Sequence, residues 1–295
     1  KQEPEEFICE PKAYLNELMM DENSGQPSAK EVFDTTPYTI LVVDDNPDMT
    51  DFLKRTFEGY FKRIIIAGDG VEALQLVRSH VPDIIVSDVM MPRMNGYELC
   101  KTIKEDIAIS HIPVILLTAK DDRQSQISGY KNGADGYLSK PFEVEMLMEL
   151  IRNRLKNREY TKKRYLNAGL IPTPEESTIS LTDETFLIKL NSIIQENIEN
   201  YNLVIQFICQ EVGLGRSSLY NKLKALTGMG ANEYISKLRI EKAITLISGT
   251  DMPFSEIAEK TGFTTPSYFS TAFKQYTGET PSQYKERKKK GLAGK

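Results

Sequence analysis

The chain has no apolar run long enough to cross a bilayer: the longest, around residues 112–119, falls well short of the roughly 18 residues a span requires. Cysteine is scarce. Cys9, Cys100 and Cys209 are odd in number and about a hundred residues apart, which excludes a disulfide framework and a cysteine-bound zinc. No charged-then-apolar leader opens the sequence, so a reducing cytoplasm is the expected compartment. The first residue is Lys1 and not Met, and the chain reads as a piece cut from something longer.

What is present is ordinary globular material, 40% apolar and 9% aromatic over 295 residues, enough for two domains. The net charge of −5 conceals an asymmetry. Residues 1–200 carry 23 Lys/Arg against 34 Asp/Glu, a net −11; residues 201–295 carry 14 against 8, a net +6. Halves of opposite sign imply two jobs, the basic one facing a polyanion.

Residues 1–37 are polar, with Asn23-Ser24-Gly25-Gln26-Pro27 in the middle and a short helical patch near Tyr14–Met20; they read as a tether. From Tyr38 short apolar runs end in acidic or hydroxyl residues: Ile40–Val43 before Asp44, Ile64–Ala67, Ile84–Ser87 before Asp88, Val114–Leu117 before Thr118, and Tyr137–Ser139 before Lys140. Segments of helical period separate them. Five alternations predict a doubly wound α/β domain with a five-stranded parallel sheet over residues 38–165, its strands buried on both faces. A Pro- and Ser-containing linker is expected over 166–185. An all-α domain is expected over 186–287, with a basic tail at 288–295. Within the α region Ile208–Gly213 matches Ile257–Gly262 at an offset of 49. Ser217, Leu219, Leu223, Lys224, Thr227, Gly228 and Tyr234 then match Ser267, Phe269, Phe273, Lys274, Thr277, Gly278 and Tyr284 at an offset of 50. Each copy is a short helix, a turn opened by Gly and a second helix, so two helix-turn-helix units are predicted.

In such a sheet ligands sit beyond the carboxyl ends of the strands. Asp44, Asp45, Asp88, Thr118 and Lys140 are placed there. Any one of these Asp residues reads most simply as a helix N-cap, and Lys140 alone as a surface lysine. Their joint placement reads differently. Three crowded carboxylates call for a cation, and hard oxygen ligands suit Mg²⁺. A lysine ammonium and a hydroxyl on neighbouring strand ends can hold phosphoryl oxygens. The strings Ile-Leu-Val-Val-Asp44-Asp45-Asn46, Asp88-Val-Met-Met-Pro92 with Asn95-Gly96, Thr118-Ala119 and Tyr137-Leu-Ser-Lys140-Pro141-Phe142 resemble the flavodoxin-like receiver domain of bacterial response regulators. The resemblance implies that Asp88 accepts a phosphoryl group and that Asp44, Asp45, Asp88 and the Met90 backbone carbonyl ligate Mg²⁺. It also implies that Lys140 contacts the phosphate, that Thr118 with Tyr137 forms a switch, and that the Lys140–Pro141 bond is cis. Met90 and Lys120 offer no side chain suited to orienting hydrolytic water, so slow self-dephosphorylation is expected.

In the first helical unit Leu219, Leu223 and Leu226 form one apolar stripe, while Ser217, Tyr220, Asn221 and Lys224 lie on another face. The second unit repeats this, with Phe269, Phe273 and Tyr276 inside and Ser267, Ser270, Thr271 and Lys274 outside. A polar to basic face of that kind can enter a major groove, or it can be an ordinary solvated face. Ile257-Ala258-Glu259-Lys260-Thr-Gly262-Phe263, Ser267-Tyr268-Phe269 and Phe273–Gly278 followed by Pro281 and Tyr284 resemble the AraC-type DNA-binding domain. That implies two recognition helices in successive major-groove segments. Ile208-Cys209 stands where a small residue is usual, and Thr271 where a longer basic or amide side chain is common. Base discrimination is therefore expected to lean on Arg216, Ser217, Tyr220 and Asn221, with the second unit (Ser267, Tyr268, Thr271, Lys274) and Lys224 holding the backbone.

Together the two resemblances imply a phosphorylation-controlled transcription regulator of a two-component system, the C-terminal regulator portion of a hybrid. Homodimerisation on phosphorylation is expected, with an alternative in which the acidic portion masks the basic domain. Neither His80 nor His111 sits in a kinase-like context, so a histidine kinase elsewhere, in the same full-length chain or a partner, supplies the phosphoryl group. The segment is expected to be no enzyme beyond self-dephosphorylation, and to lie in the cytoplasm, alone or as the cytoplasmic part of an inner-membrane hybrid sensor. Two rivals are an aspartyl phosphatase, disfavoured by Met90 where a general acid would stand, and a phosphorylation-independent interaction module, disfavoured by the intact acidic set.

Overall fold

The computed structural model describes residues 33–119, 133–167 and 180–292. The helical patch near Tyr14–Met20, Cys9, Lys120 and most of the expected linker lie outside them. Strands β1 (Thr39–Val43), β2 (Arg63–Ala67), β3 (Ile84–Asp88), β4 (Val114–Ala119) and β5 (Gly136–Lys140) form one parallel sheet in the order β2-β1-β3-β4-β5. Their continuous apolar runs are buried, as strands covered on both faces must be: Ile40–Val43, Ile84–Val86 and Val114–Leu117 are all in the core. Helices α1 (Pro47–Phe57), α2 (Gly70–His80), α3 (Gly96–Glu105) and α4 (Val144–Asn167) cover it. Polar residues before the first three start them: Asn46, Asp69 and Asn95 each accept backbone N–H groups as N-caps, and Asn95 with Glu98 completes a capping box. The doubly wound sheet is as expected.

Helix α4 leaves the receiver-like fold. Leu147, Ile151 and Leu155 in its first half are fully buried, and Tyr165 near its end is part of the next hydrophobic core. The expected linker over 166–185 needs correcting at both ends. Helix α4 runs to Asn167, and α5 (Leu181–Glu196) begins five residues before Phe186, capped by the Ser180 hydroxyl accepting from the Asp183 N–H. The expected tail also folds in part, since α11 (Pro281–Leu292) runs through Lys288 and Lys289.

The remaining helices are α6 (Ile205–Val212), α7 (Arg216–Thr227), α8 (Ala231–Gly249), α9 (Phe254–Lys260) and α10 (Pro266–Thr277). They make two helix-turn-helix units, α6–α7 and α9–α10. Both turns begin with glycine in the left-handed region, Gly213 at φ 73° and Gly262 at φ 70°. A Cβ at Gly262 would also lie 2.3 Å from the Ile198 carbonyl oxygen. The second turn is longer by one residue between that glycine and its next helix, which accounts for the change of offset from 49 to 50. Each unit has its own core. Tyr234, Ile235 and Leu238 of α8 enter the first core; Ile240, Ala243 and Ile247 of the same helix enter the second. Helix α8 is thus apolar on more than one side because it is shared. One inward assignment is corrected: Tyr276 is 39% exposed, its hydroxyl 3.3 Å from Glu241 Oε1, while Phe269 and Phe273 are buried.

The two folds meet through side chains. Lys222 of α7, with no exposed side-chain surface, is ion-paired with Asp183 of α5, and both bond Ser110 from the loop between α3 and β4. Lys222 Nζ lies 2.8 Å and Asp183 Oδ1 2.6 Å from the Ser110 hydroxyl. The Thr182 hydroxyl donates to the Lys104 carbonyl at 3.2 Å, Ile107 and Ala108 pack on the first helical core, and Lys237 of α8 donates to the Tyr165 carbonyl. Burial pulls the Lys222 ammonium below its ordinary pKa, and the Asp183 charge opposes that without offsetting it.

Candidate functional site

Asp44, Asp45 and Asp88 converge at the carboxyl ends of β1 and β3, the point where the sheet order reverses. Ligand oxygens from all three lie within 4.8 Å of one another. Asp44 and Asp88 are buried and Asp45 is exposed, so the cluster opens on one side. Lys140, at the end of β5, bridges the two buried carboxylates: its Nζ is 2.9 Å from Asp44 Oδ2 and 2.7 Å from Asp88 Oδ1. Burial works against the ammonium, but the hydrogen bonds and charges of Asp88 and Asp44 outweigh it and raise the Lys140 pKa. The Lys140–Pro141 bond is cis. Asp88 Oδ2 accepts the Met90 N–H at 3.1 Å, and Asp44 Oδ1 accepts the Asn46 N–H at 2.9 Å. The oxygens are hard and include one on the solvent side, which suits a hydrated divalent ion such as Mg²⁺.

The loop after Asp88 is held tightly. Gly96 N–H donates to the Val89 carbonyl at 2.9 Å, and a Cβ on Gly96 would sit 2.2 Å from the Asp88 carbonyl oxygen. Only glycine allows that approach. Arg93, at φ 64°, ion-pairs with Asp69, and Gly70 N–H donates to the Met94 carbonyl, tying the loop to the start of α2. The Met90 side chain is 73% exposed and carries nothing into the cluster. Lys120, the other residue behind the expected slow dephosphorylation, lies outside the described residues.

Thr118, on β4, follows Leu117, the register partner of Asp88. It is 1% exposed, and its hydroxyl has no hydrogen-bond partner among the described residues. Such an orphan costs about 1–3 kcal/mol. Tyr137, opposite Leu116 on β5, is half-buried against the core that includes Leu99 and Ile103.

The other candidate residues lie on α7 and α10. Arg216, Ser217, Tyr220 and Lys224 are exposed and Asn221 half-exposed; Ser267, Tyr268, Thr271 and Lys274 are exposed. Leu219, Leu223, Phe269 and Phe273 turn the opposite faces inward. The structure brings each set together on one helix. Sequence reasoning missed the Ser110–Asp183–Lys222 cluster.

Residues 40–152 match the response regulator receiver domain family, and residues 208–287 match a helix-turn-helix domain family. Over 249 residues the chain is 41% identical to a protein named Histidine kinase P4 from Formosa agariphila, covering 84% of this chain and 18% of that one. It is 34% identical over 179 residues to "Probable transcriptional regulator ycf29" of Pyropia yezoensis, covering 56% of this chain and 80% of that one. The receiver domain of a Francisella response regulator is 37% identical over 41% of this chain and 98% of that one, with a TM-score of 0.37. The chain thus spans only a fraction of the Formosa protein. From the acidic cluster, the parallel sheet and the paired helical units, the chain belongs to the response-regulator family, with a receiver domain followed by a helix-turn-helix domain of AraC type.

Proposed function

We propose that the chain is a phosphorylation-controlled, sequence-specific DNA-binding transcription regulator of a two-component system. The observation that carries this is the bridge from Lys140 to both Asp44 and Asp88, beside a buried Thr118 hydroxyl that has no partner among the described residues. Asp88 is the nucleophile. A carboxylate oxygen attacks the phosphorus of a phosphohistidine, the P–N bond breaks, the imidazole leaves, and an acyl phosphate remains. Asp44, Asp45, Asp88 and the Met90 carbonyl would hold Mg²⁺, which supplies charge neutralisation for the phosphoryl oxygens. Lys140 holds an equatorial oxygen, and the Thr118 hydroxyl gains the acceptor it lacks. As Thr118 moves toward it, the Tyr137 ring turns into the vacated space. The histidine donor belongs to a kinase, in the same full-length polypeptide or a partner; the relative named a histidine kinase supports the first arrangement.

Arg216, Ser217, Tyr220, Asn221 and Lys224 of α7, with Ser267, Tyr268, Thr271 and Lys274 of α10, contact two successive major-groove segments. Control by simple masking is disfavoured, because the α7 residues meant for DNA stay solvent-facing while Lys222, Ala225 and Leu226 face inward. The receiver grips α7 from behind. Helix α4, which starts four residues after Lys140 and ends in the first helical core, is the route by which the switch reorients that grip and favours a dimer on paired sites.

The test is DNA binding and oligomeric state with and without beryllofluoride and Mg²⁺, with Asp88→Asn as control. The expected result is a shift in either property in the wild type alone. Identical behaviour in all samples would leave the DNA-binding half standing and overturn the phospho-switch.

A further inference from the structure

The junction between the receiver and the helical domain holds a half-open cavity of about 130 Å³ that neither the phosphoacceptor site nor the DNA face uses. A single water takes about 10–15 Å³ measured this way, so a molecule of several heavy atoms fits. Its walls come from both folds: His111, Arg154 and Asn157 on the receiver side, Ser180 and Asp183 on the other. His111 is 8% exposed, and neither ring nitrogen has a hydrogen-bond partner among the described residues. A neutral imidazole carries one donor and one acceptor, and interiors rarely leave both unmet.

The charges around the cavity are paired with one exception. Lys104 pairs with Asp135 at 2.7 Å, Arg158 with Asp83 at 3.4 Å, and Lys222 with Asp183. Arg154 has no ion-pair partner among the described residues, and its Nε, like that of Arg158, is buried without a hydrogen bond. The cavity therefore combines one uncompensated guanidinium, an imidazole with both nitrogens unmet, and side-chain hydroxyl and amide groups. A guanidinium on a half-buried side chain, with no ion-pair partner among the described residues, favours one negative charge in a planar fork, which is a carboxylate. A second negative charge would meet Asp183 and Asp135.

We propose that this cavity binds a small organic monoanion, its carboxylate held by Arg154 and its polar remainder by His111. Because both folds supply walls, an occupant ties the receiver to α5 and biases how the helical domain is held, by a route separate from Asp88. The ligand stabilises the joined state in proportion to its saturation.

The chain has two histidines, so His80→Gln leaves His111 as the sole imidazole. The experiment follows its ring ¹⁵N signals in the full chain while acetate, lactate, acetamide and inorganic phosphate are titrated separately. The expected result is a saturable shift with acetate or lactate and none with acetamide. Arg154→Leu weakens it about ten-fold or more, equivalent to about 1.4 kcal/mol. Arg154→Lys retains part of the binding, and Lys156→Leu on the exposed side of α4 leaves it unchanged. If both Arg154 variants fail to fold, the contrast between acetate and acetamide in the parent decides. Signals that stay put with both carboxylates, move equally with acetamide, survive intact in a folded Arg154→Leu, or respond to phosphate alone overturn the proposal; the first of these means water only.

Discussion

Removing the ammonium of Lys222 should test the junction more directly than any change at the phosphoacceptor. In Lys222→Met the methylene stem is kept and the charge is lost, which leaves the Asp183 carboxylate 5% exposed with the Ser110 hydroxyl and no cation. Breaking a buried pair by removing one partner costs about 3–5 kcal/mol. For a chain of this size about 1 kcal/mol moves Tm by roughly 2–4 °C, so the expected fall is roughly 6–20 °C. The loss of the Lys222 ammonium over the Phe186 ring, 5.1 Å away, belongs to the same figure. The double variant Lys222→Met/Asp183→Leu removes both charges and should recover most of the loss, because replacing a buried pair by apolar groups is often near neutral. Urea unfolding of wild type, both single variants and the double variant closes the cycle. If Lys222→Met lies within about 0.5 kcal/mol of wild type, or the double variant is as unstable as the sum of the singles, the pair is not buried and coupled as described.

At the phosphoacceptor loop, Gly96→Ala drives a Cβ into the Asp88 carbonyl; it should cost about 1–3 kcal/mol by denaturant titration and slow acetyl-phosphate labelling about ten-fold or more, and wild-type behaviour would refute the close approach. Once labelled, Asp88 should lose its phosphoryl group over minutes or longer, and decay within seconds followed by radiolabel would refute the role assigned to Met90. In a randomised-site selection, Asn221→Ala should change base preference at about 1–3 kcal/mol per position while Thr271→Ala lowers affinity evenly; the reverse ranking would overturn the assignment of the two units. Burial, with the nearby Arg158, Lys222, Lys104 and Lys162 charges, holds the His111 pKa well below its ordinary 6.5, so the unfolded chain takes up a proton that the folded one refuses. The His111 contribution to stability should therefore fall as pH drops below 6.5, approaching a one-proton slope of roughly 1 kcal/mol per unit, and His111→Phe should flatten that slope in urea titrations between about pH 6.5 and 5; an unchanged slope would show that His111 titrates normally.

Most of the architecture was legible because each signal is local. Strands buried on both faces need unbroken apolar runs, and a repeated helix-turn-helix unit repeats its stripe and its turn glycine. What resisted reading was the boundary between domains. Helix α5 begins in Leu181-Thr182-Asp183-Glu184, one apolar residue and three polar ones that follow a Pro-containing stretch and lack a leading apolar run. Tyr276 was misplaced because it continues the i, i+4, i+7 pattern of Phe269 and Phe273, yet the last turn of α10 has passed the edge of the core.

The Ser110–Asp183–Lys222 cluster had left a signal of a different kind. On α7, Lys222 lies three residues after Leu219 and four before Leu226, inside the apolar stripe. On α5, Asp183 precedes Phe186, Leu187 and Leu190 at i, i+3, i+4 and i+7, again inside the stripe. A charge on a stripe meant for burial is costly by itself, so two opposite charges on the stripes of two helices imply each other. Reading each helix alone makes such residues blemishes in a pattern. Taken as a pair, Lys222 and Asp183 point to contact between α5 and α7. Ser110 has no comparable signal, because a hydroxyl in a loop fits solvent as well as an interface. That asymmetry explains why the helical half of the junction can be inferred from spacing while the receiver half needs the fold.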